Sequence, residues 1–421
     1  MTDSIAAAAS GKASPPLLTD TSYAWRRLVY GMLIGVICNA AHWTSVSLMP
    51  SLQAEFALTR AEASHPYIAI MLGFLVGSPF LGRMTDRFGI TRVLICATVV
   101  ISLSYCAGGM APNIYIFLIS QFFVGLGSAV GFAPLAADIS HWFRRRRGLA
   151  LSLASCAAYF SGLFWTKIIA QTLQNGTWRD VHMVIGIGVL WVIPLSFLLR
   201  RRVPTHVLDA ADVDSAKKAQ DVGFSPHVVK WILAVAGLGC CVAMAIPQIH
   251  IVAICGDFGF SLAQGNDVLS TMIMAGIISR IVVGLLIDKL GPIIILLIGS
   301  TLQMLALVLY IQMDGTASLY VVSIIFGFAQ GGILPAYPLI VREYLPARSA
   351  GEVIGFISMW TLFGMAFGGW LSGWLYDQTG SYTVAFLNGI GWNLLNILLI
   401  SLLFFCILSR RRQRAAQLVT P

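Results

Sequence analysis

Gly82-Arg-Met-Thr-Asp86-Arg87-Phe-Gly89 returns later in the chain as Gly284-Leu-Leu-Ile-Asp288-Lys289-Leu-Gly291. A glycine, an acid, a base and a closing glycine keep their spacing, and the second copy lies 202 residues after the first (284 against 82). The same offset pairs Glu55-Phe56 with Asp257-Phe258, and Gly125 with Gly327. It also relates Thr59-x-x-Glu62 to Ser261-x-x-Gln264. Those two segments read as capping boxes, in which a hydroxyl and an acid or amide satisfy the free N–H groups at a helix start. Several pairings at one offset mark a chain made of two related halves.

What surrounds these short polar segments is apolar. Of 421 residues 57% are hydrophobic and 11% charged, against roughly 25% charged in soluble domains. A spanning helix needs about 20 mostly apolar residues. Such runs occur near 28–50, 64–82, 93–111, 114–137, 147–171 and 181–199, then near 229–255, 264–287, 292–312, 318–340, 350–374 and 382–408. The expected fold is an all-α integral membrane protein with twelve transmembrane helices in two pseudo-symmetric six-helix bundles. The expected organisation is a tail over 1–27, a first bundle over 28–199, a linker over 200–228, a second bundle over 229–408 and a tail over 409–421. Met1 to Asp20 is polar and Ala/Ser/Pro-rich, without the apolar core of a cleaved signal, and is expected to be disordered.

Of the 27 lysines and arginines, all but Arg60, Arg179, Lys167 and Arg280 fall in the N-terminal tail, the even-numbered loops or the C-terminus. Positive loops stay in the cytoplasm, so both termini are expected inside, and short loops suggest a bacterial inner membrane. The net charge of +9 sits in clusters between apolar runs, which argues for membrane topology and against nucleic acid. Trp25, Trp142 and Trp231 fall at cytoplasmic helix ends, where interfacial aromatics are expected. The eight cysteines lie within apolar runs without C-x-x-C spacing, so neither zinc nor disulfides are indicated. No G-x-S-x-G, H-E-x-x-H or Walker loop is present, so no catalytic residue, metal or cofactor is expected.

The Gly82–Gly89 segment resembles the signature loop of the major facilitator superfamily, and the likeness extends over the whole chain. The second copy departs from it: Pro292 follows Gly291, and no basic residue matches Arg92. The resemblance implies a cytoplasmic gating motif of Gly82, Asp86, Arg87, Gly89, Arg92, Asp288 and Gly291. Its glycines would allow tight packing, and its acid and arginines would form a charge network that breaks during alternating access. A plain positive-inside anchor is the simpler alternative. Parallel repeats of this kind place the substrate site between the halves, near mid-membrane.

Within that superfamily the chain resembles the bacterial branch related to monocarboxylate transporters and oxalate/formate exchangers. Three segments carry this: Leu52-Gln-Ala-Glu-Phe56 with Thr59-Arg-Ala-Glu-Ala-Ser64, Trp142-Phe143-Arg-Arg-Arg-Arg-Gly148, and His250-Ile-Val leading to Asp257-Phe-Gly-Phe-Ser261, with Ser279-Arg280 in the next helix. Arg280 lies about 10 Å along a helix from the cytoplasmic end of its run. A charge at that depth usually faces a cavity or a partner, and every acid falls in a tail, a loop or a helix end. An arriving carboxylate would supply the counter-charge in the bidentate geometry a guanidinium favours, and the resemblance implies that role for an arginine here. The alternative is that Arg280 snorkels or pairs with Asp288 or Asp138.

His42, Trp43 and His250 fall on helices that line the cavity in this superfamily, and either histidine could shuttle a proton or only hold helices together. Gln330 and Trp360, at mid-depth, could form a polar and aromatic wall, with packing the simpler role for Trp360. Lys167 is expected to snorkel. Gly73-x-x-x-Gly77 and the glycines of the eleventh run permit close helix contact.

Two departures bear on the substrate. Proton-coupled monocarboxylate transporters carry an aspartate one turn before this arginine, where this chain has Gly276. Oxalate exchangers carry a lysine in the eleventh helix, absent from Ser358-Met-Trp-Thr-Leu362. The expectation is therefore a secondary active transporter of a small organic anion, a monocarboxylate, working by alternating access. Proton coupling stays open, membrane lipid surrounds the chain, and a monomer suffices because one chain holds both halves. A carrier of neutral or drug-like compounds with a structural Arg280, and a non-transporting membrane sensor, remain as alternatives.

Overall fold

The structure, a computed structural model, describes residues 19–57, 65–201, 213, 215, 218, 222–259, 262–313 and 315–419. Most of the 200–228 linker, the tail up to residue 18, the Thr59–Glu62 box and Ser261 of the second box lie outside the described residues. Among the described residues, twelve helices are long and apolar enough to cross a membrane. They are α1 (Ser22–Ser45), α2 (His65–Phe88), α3 (Ile90–Gly109), α4 (Ile114–Trp142), α5 (Arg147–Asn175) and α6 (Trp178–Phe197), then α7 (Pro226–Ile251), α8 (Asp267–Leu290), α9 (Pro292–Ile311), α10 (Ala317–Tyr344), α11 (Ala347–Thr379) and α12 (Thr383–Arg414).

Several helices start or end beyond their apolar runs because polar residues in their last turns find partners. The helix of α1 opens at Ser22, capped by Thr21, whose side chain accepts from the Ala24 N–H. It therefore contains Arg27, which is 2% exposed and forked onto Asp138 at 2.8 Å through both Nε and Nη2. Arg27 also lies over Trp142, 4.7 Å from the ring, so that tryptophan is buried in the bundle rather than interfacial. Asp20, expected in a loose tail, accepts from the backbone N–H groups of Arg144, Arg145 and Arg146.

Most of the signature segment is helix, not loop. α2 runs to Phe88, and only Gly89 breaks the chain, at φ 84 and ψ 153; Gly291 does the same after α8, at φ 87 and ψ 156. A side chain is strained at such positive φ. The two halves also match in their packing. A Cβ on Gly125 would lie 2.0 Å from the Ile70 carbonyl oxygen of α2, and one on Gly327 2.2 Å from that of Met272 in α8. Bare backbone contact of this kind lets helices approach where lipid provides no hydrophobic drive.

Gly73 is tighter still, since a Cβ there would lie 1.9 Å from the Phe122 carbonyl oxygen. Gly73→Ala is expected to lower the heat-unfolding midpoint in detergent, with a cost of about 1–3 kcal/mol for overpacking. Gly391→Ala is the control, because its Cβ would meet nothing within 4 Å. Equal midpoints for the two variants would show that the α2–α4 seam can spread.

At the end carrying the basic loops, the halves are zipped together. Gly82 of α2 abuts the Gly351 backbone of α11, and Gly355 abuts Ser78. Gly284 of α8 meets Leu149 and Ser152 of α5, and Gly148 meets Ile287. At the opposite end the second segment of α1 packs within the first half, and α7 packs within the second. The Glu55 carboxylate there accepts from Trp178 and Arg179. Partial burial alone would raise that carboxyl, but the hydrogen bonds hold it below its ordinary range. The arrangement is closed at the basic end.

Candidate functional site

Five of the twelve spans are broken: α1 at Asn39, α4 over Ala129–Gly131, α5 at Cys156, α6 after Val189 and α10 at Gly332. Irregular backbone at membrane depth is tolerated where it lines a cavity or is buried in protein. Four of these breaks gather around a chamber of about 60 Å³ between the halves. One wall is Asn39, Phe132 and Ala136 with Leu151, Ala154, Ser155 and Ala158 of α5. The other is Leu334, Pro335, Tyr337 and Pro338 of α10 with Ile354, Ile357, Ser358 and Thr361 of α11. The walls are mostly hydrocarbon, and the few hydroxyls are largely spent locally, as when Thr361 donates to the Ser358 carbonyl and Ser155 to that of Ser152.

Arg280 stands at this seam. It is 3% exposed, and its guanidinium carbon lies 4.3 Å from the ring centroid of Tyr159 in α5, the residue after Ala158. The contact crosses from the second half to the first. A ring stacked on the flat face of a guanidinium leaves the in-plane N–H donors free, and Nε and Nη1 of Arg280 are buried with no hydrogen-bond partner. The two acids that could neutralise it are engaged elsewhere. Asp138 holds Arg27, while Asp288 accepts from the backbone N–H groups of Gly148 (2.6 Å) and Leu149 (3.2 Å). What remains is a buried cation aimed at the interface, with donors to spare.

Gln330 of α10 lies against α8 one turn before Arg280. Gly276 precedes Arg280 by one turn, and its nearest side-chain atom beyond the helix is Gln330 Nε2, 3.6 Å from where a Cβ would stand. Gln330 is 2% exposed; it accepts a hydrogen bond from Gln248 of α7, and its own Nε2 is unpartnered.

The other candidates lie elsewhere. His42 packs edge-on against Tyr67 and Phe74 of α2, at 6.3 and 5.7 Å between ring centroids. Trp43 donates to the Ala158 carbonyl and lies over Gly162, pinning α1 to α5 behind the chamber wall. His250 uses both ring nitrogens to tie α7 to α11 and to the turn before α12, at the end opposite the basic loops: Nε2 donates to the Gly369 carbonyl at 2.9 Å and Nδ1 accepts from the Tyr382 hydroxyl at 3.2 Å. Trp360 joins an aromatic cluster with Trp231 and Phe356, its Nε1 buried without a partner. Lys167 is exposed on the second half of α5, away from the basic loops. Gln330 thus packs on the turn of α8 before Arg280, while His42, His250 and Trp360 are held by other neighbours.

The motif residues gather at the closed end, with different partners from those expected. Asp86 accepts from the backbone N–H groups of Gly351 (3.0 Å) and Glu352 (2.8 Å), at the start of the long α11 helix. Among the described residues Arg83, rather than Arg87 or Arg92, pairs across the halves, with Glu352 at 2.9 Å. Arg87 lies over the Phe88 ring. The free N–H groups of a helix start and its positive dipole end attract a carboxylate as a cation does, and the charge of Arg342 acts on Asp86 in the same direction. Among the described residues no three His, Cys, Asp or Glu side chains converge to hold a metal ion.

Tyr159 and Gln248 were not singled out by sequence. Each is one polar-tipped residue in an apolar run, and nothing local marks it; their roles appear only when α5 meets α8 and α7 meets α10.

Comparison with known proteins agrees with this architecture. The sequence model of the Major Facilitator Superfamily matches residues 31–316 and 233–418. Monocarboxylate transporter 13 of Rattus norvegicus is 25% identical over 315 residues, covering 74% of this chain and 72% of that protein. The MFS-type transporter pynF of Aspergillus niger is 25% identical over 303 residues, 70% of this chain and 68% of that one. The crystal structure of the human organic anion transporter MFSD10 superposes with a TM-score of 0.74 at 14% identity, over 92% of this chain and 100% of that one, a likeness of fold alone. Duplicated halves, twelve spans, a chamber between the halves and a family match over nearly the whole length agree: the chain belongs to the major facilitator superfamily.

Proposed function

We propose that this protein is a secondary active transporter of a small organic anion, a monocarboxylate, whose carboxylate docks on Arg280. The observation that carries the reading is the state of that side chain: buried at the seam, stacked on Tyr159, with Nε and Nη1 unpartnered. An unpaired buried charge is costly, and an entering carboxylate removes that cost at the interface that must move. The mostly apolar chamber beside it suits the hydrocarbon part of such an anion. The relatives named as monocarboxylate transporters support the same class. Gly276 offers no carboxylate for a proton, so a coupled proton would travel on the substrate or on His42. With positive loops inside, both termini face the cytoplasm; a bacterial inner membrane and a monomeric unit complete the reading.

The hydrocarbon walls favour a second reading, carriage of neutral drug-like compounds with Arg280 structural. Uptake into liposomes separates the two. Labelled lactate, pyruvate, 4-methylpentanoate and oxalate are offered with and without an inward proton gradient. A monoacid is expected to enter and oxalate to be excluded, since Arg280 supplies one cation at the seam beside the uncharged chamber walls and a dianion needs two. Acceleration by the gradient would identify proton symport. Passage of neutral amphiphiles that no carboxylate inhibits would overturn the anion reading.

A further inference from the structure

Two carboxylates meet at one place at the basic end, the entry to α5. The backbone N–H groups of Arg144, Arg145 and Arg146 donate to Asp20 at 3.0, 3.0 and 3.2 Å. Those of Gly148 and Leu149, in the first turn of the helix, donate to Asp288 at 2.6 and 3.2 Å. Asp20 belongs to the first half and Asp288 to the second. Asp20 is itself fixed: its N–H donates to the Trp142 carbonyl at 2.9 Å, and its φ of 60° is one that aspartate tolerates. The next residue, Thr21, caps α1. Arg147 Nε ties the same turn back to α4 through the carbonyls of Ser140 and Phe143. The side chains are close enough for the charge of Asp20 to act on Asp288, opposite in sign to that of Arg147. Two carboxylates drawn to one helix start share its donors and repel each other.

From this arrangement we infer that the segment at Asp20 is a strap that sets how readily the basic end opens. Its acceptor oxygens hold the turn over 144–146, so that Gly148 and Leu149 stay presented to Asp288. Its charge works the other way and weakens the hold of Asp288. When the halves rock apart at this end, Asp288 leaves with α8 while Asp20 stays with α1. Three of the five N–H groups then keep their acceptor, and only two are left for water to satisfy. Asp20 thereby keeps the turn in order through the transition and makes the latch one that can break repeatedly. The inference rests on the rocking of the halves in the proposed transport cycle, and not on which anion is carried.

Charge and acceptor can be separated by substitution. Asp20→Asn keeps an acceptor oxygen and removes the charge, whereas Asp20→Ala removes both. Opening is read in liposomes on Leu151→Cys, labelled by an impermeant maleimide from the basic side and counted above protein that lacks this substitution. Asp20→Asn is expected to slow labelling by about 2- to 5-fold, the range for one charge contact near the surface, because the repelling charge is gone. Asp20→Ala is expected to label about 2- to 12-fold faster than Asp20→Asn, the range for one net hydrogen bond. The coupling is decisive: once Asp288→Asn has removed the second charge, Asp20→Asn should no longer slow labelling. High salt should likewise bring the unaltered protein and Asp20→Asn together, because it screens the repulsion. Labelling of Asp20→Asn as fast as the unaltered protein or faster, or the same slowing in the Asp288→Asn background, overturns the repulsion and with it the strap. Equal labelling of Asp20→Ala and Asp20→Asn overturns the role of the acceptor oxygens. Labelling of Leu151→Cys in no variant overturns the rocking of the halves, and the strap with it.

Discussion

Arg280→Ala is expected to reduce carboxylate uptake by roughly two to three orders of magnitude while raising the stability of the empty protein. The first half of this result follows from the geometry of the pair. Removing one partner of a buried, hydrogen-bonded charge pair costs about 2–5 kcal/mol, and each 1.4 kcal/mol is about tenfold in affinity. Arg280→Lys is expected to recover only part of the loss. An ammonium is a point charge that cannot make two parallel bonds to a carboxylate, nor lie flat on the Tyr159 ring. The second half separates the substrate role from a structural one. A structural arginine stabilises the fold, so its removal lowers the unfolding midpoint. An arginine kept buried without a counter-charge is a burden until substrate arrives, so Arg280→Met is expected to raise the midpoint of the empty protein and abolish the further rise on adding substrate. A lowered midpoint together with normal uptake would return Arg280 to a packing role. Arg27 is the internal contrast: forked onto Asp138 and buried, it is a resident pair, and its truncation is expected to destabilise.

The sequence was most informative where physics is local and repetitive. Apolar runs and the positive-inside bias yield twelve spans, because burial in lipid acts on every residue of a run. The offset of the repeats has a direct structural counterpart: Gly125 and Gly327 touch matching residues, Ile70 and Met272. The depth of Arg280 was legible for the same reason, since a charge in an apolar run stands out. What the sequence could not supply was the far partner in each tertiary contact. Asp86 sits in a segment crowded with arginines, so a charge network is the natural expectation, yet its hydrogen-bond partners are two backbone N–H groups of α11, 265 and 266 residues away. Backbone donors leave no signature in side-chain identity. His250 stands out as a lone histidine in an apolar run, but the carbonyl of Gly369 that holds it comes from α11 and the hydroxyl of Tyr382 from the residue just before α12.

Those backbone contacts lead to the second large effect. The double variant Asp86→Asn with Asp288→Asn is expected to shift the protein from the arrangement closed at the basic end toward the one open there. Each carboxylate reaches across the seam and caps a helix of the other half: Asp86 the start of α11, Asp288 the start of α5. Asparagine keeps the size and one acceptor oxygen but loses the charge that meets the positive helix end, an interaction worth about 0.3–1 kcal/mol when exposed and up to ~2 when partly buried. The two latches sit on separate helix pairs, so their losses are expected to add, giving roughly a threefold to thousandfold change in the equilibrium. Leu151→Cys reports it: the position lines the chamber and is 3% exposed in the closed arrangement. An impermeant maleimide applied from the basic side should label it faster in the double variant, with each single variant between. Arg83→Ala is expected to change little, because its pair with Glu352 is largely exposed, at 71% on the arginine side, and surface pairs contribute at most about 1 kcal/mol. If Arg83→Ala opens the chamber and the aspartate variants do not, the seam is held by side-chain charge after all, and the helix-capping account of the motif fails.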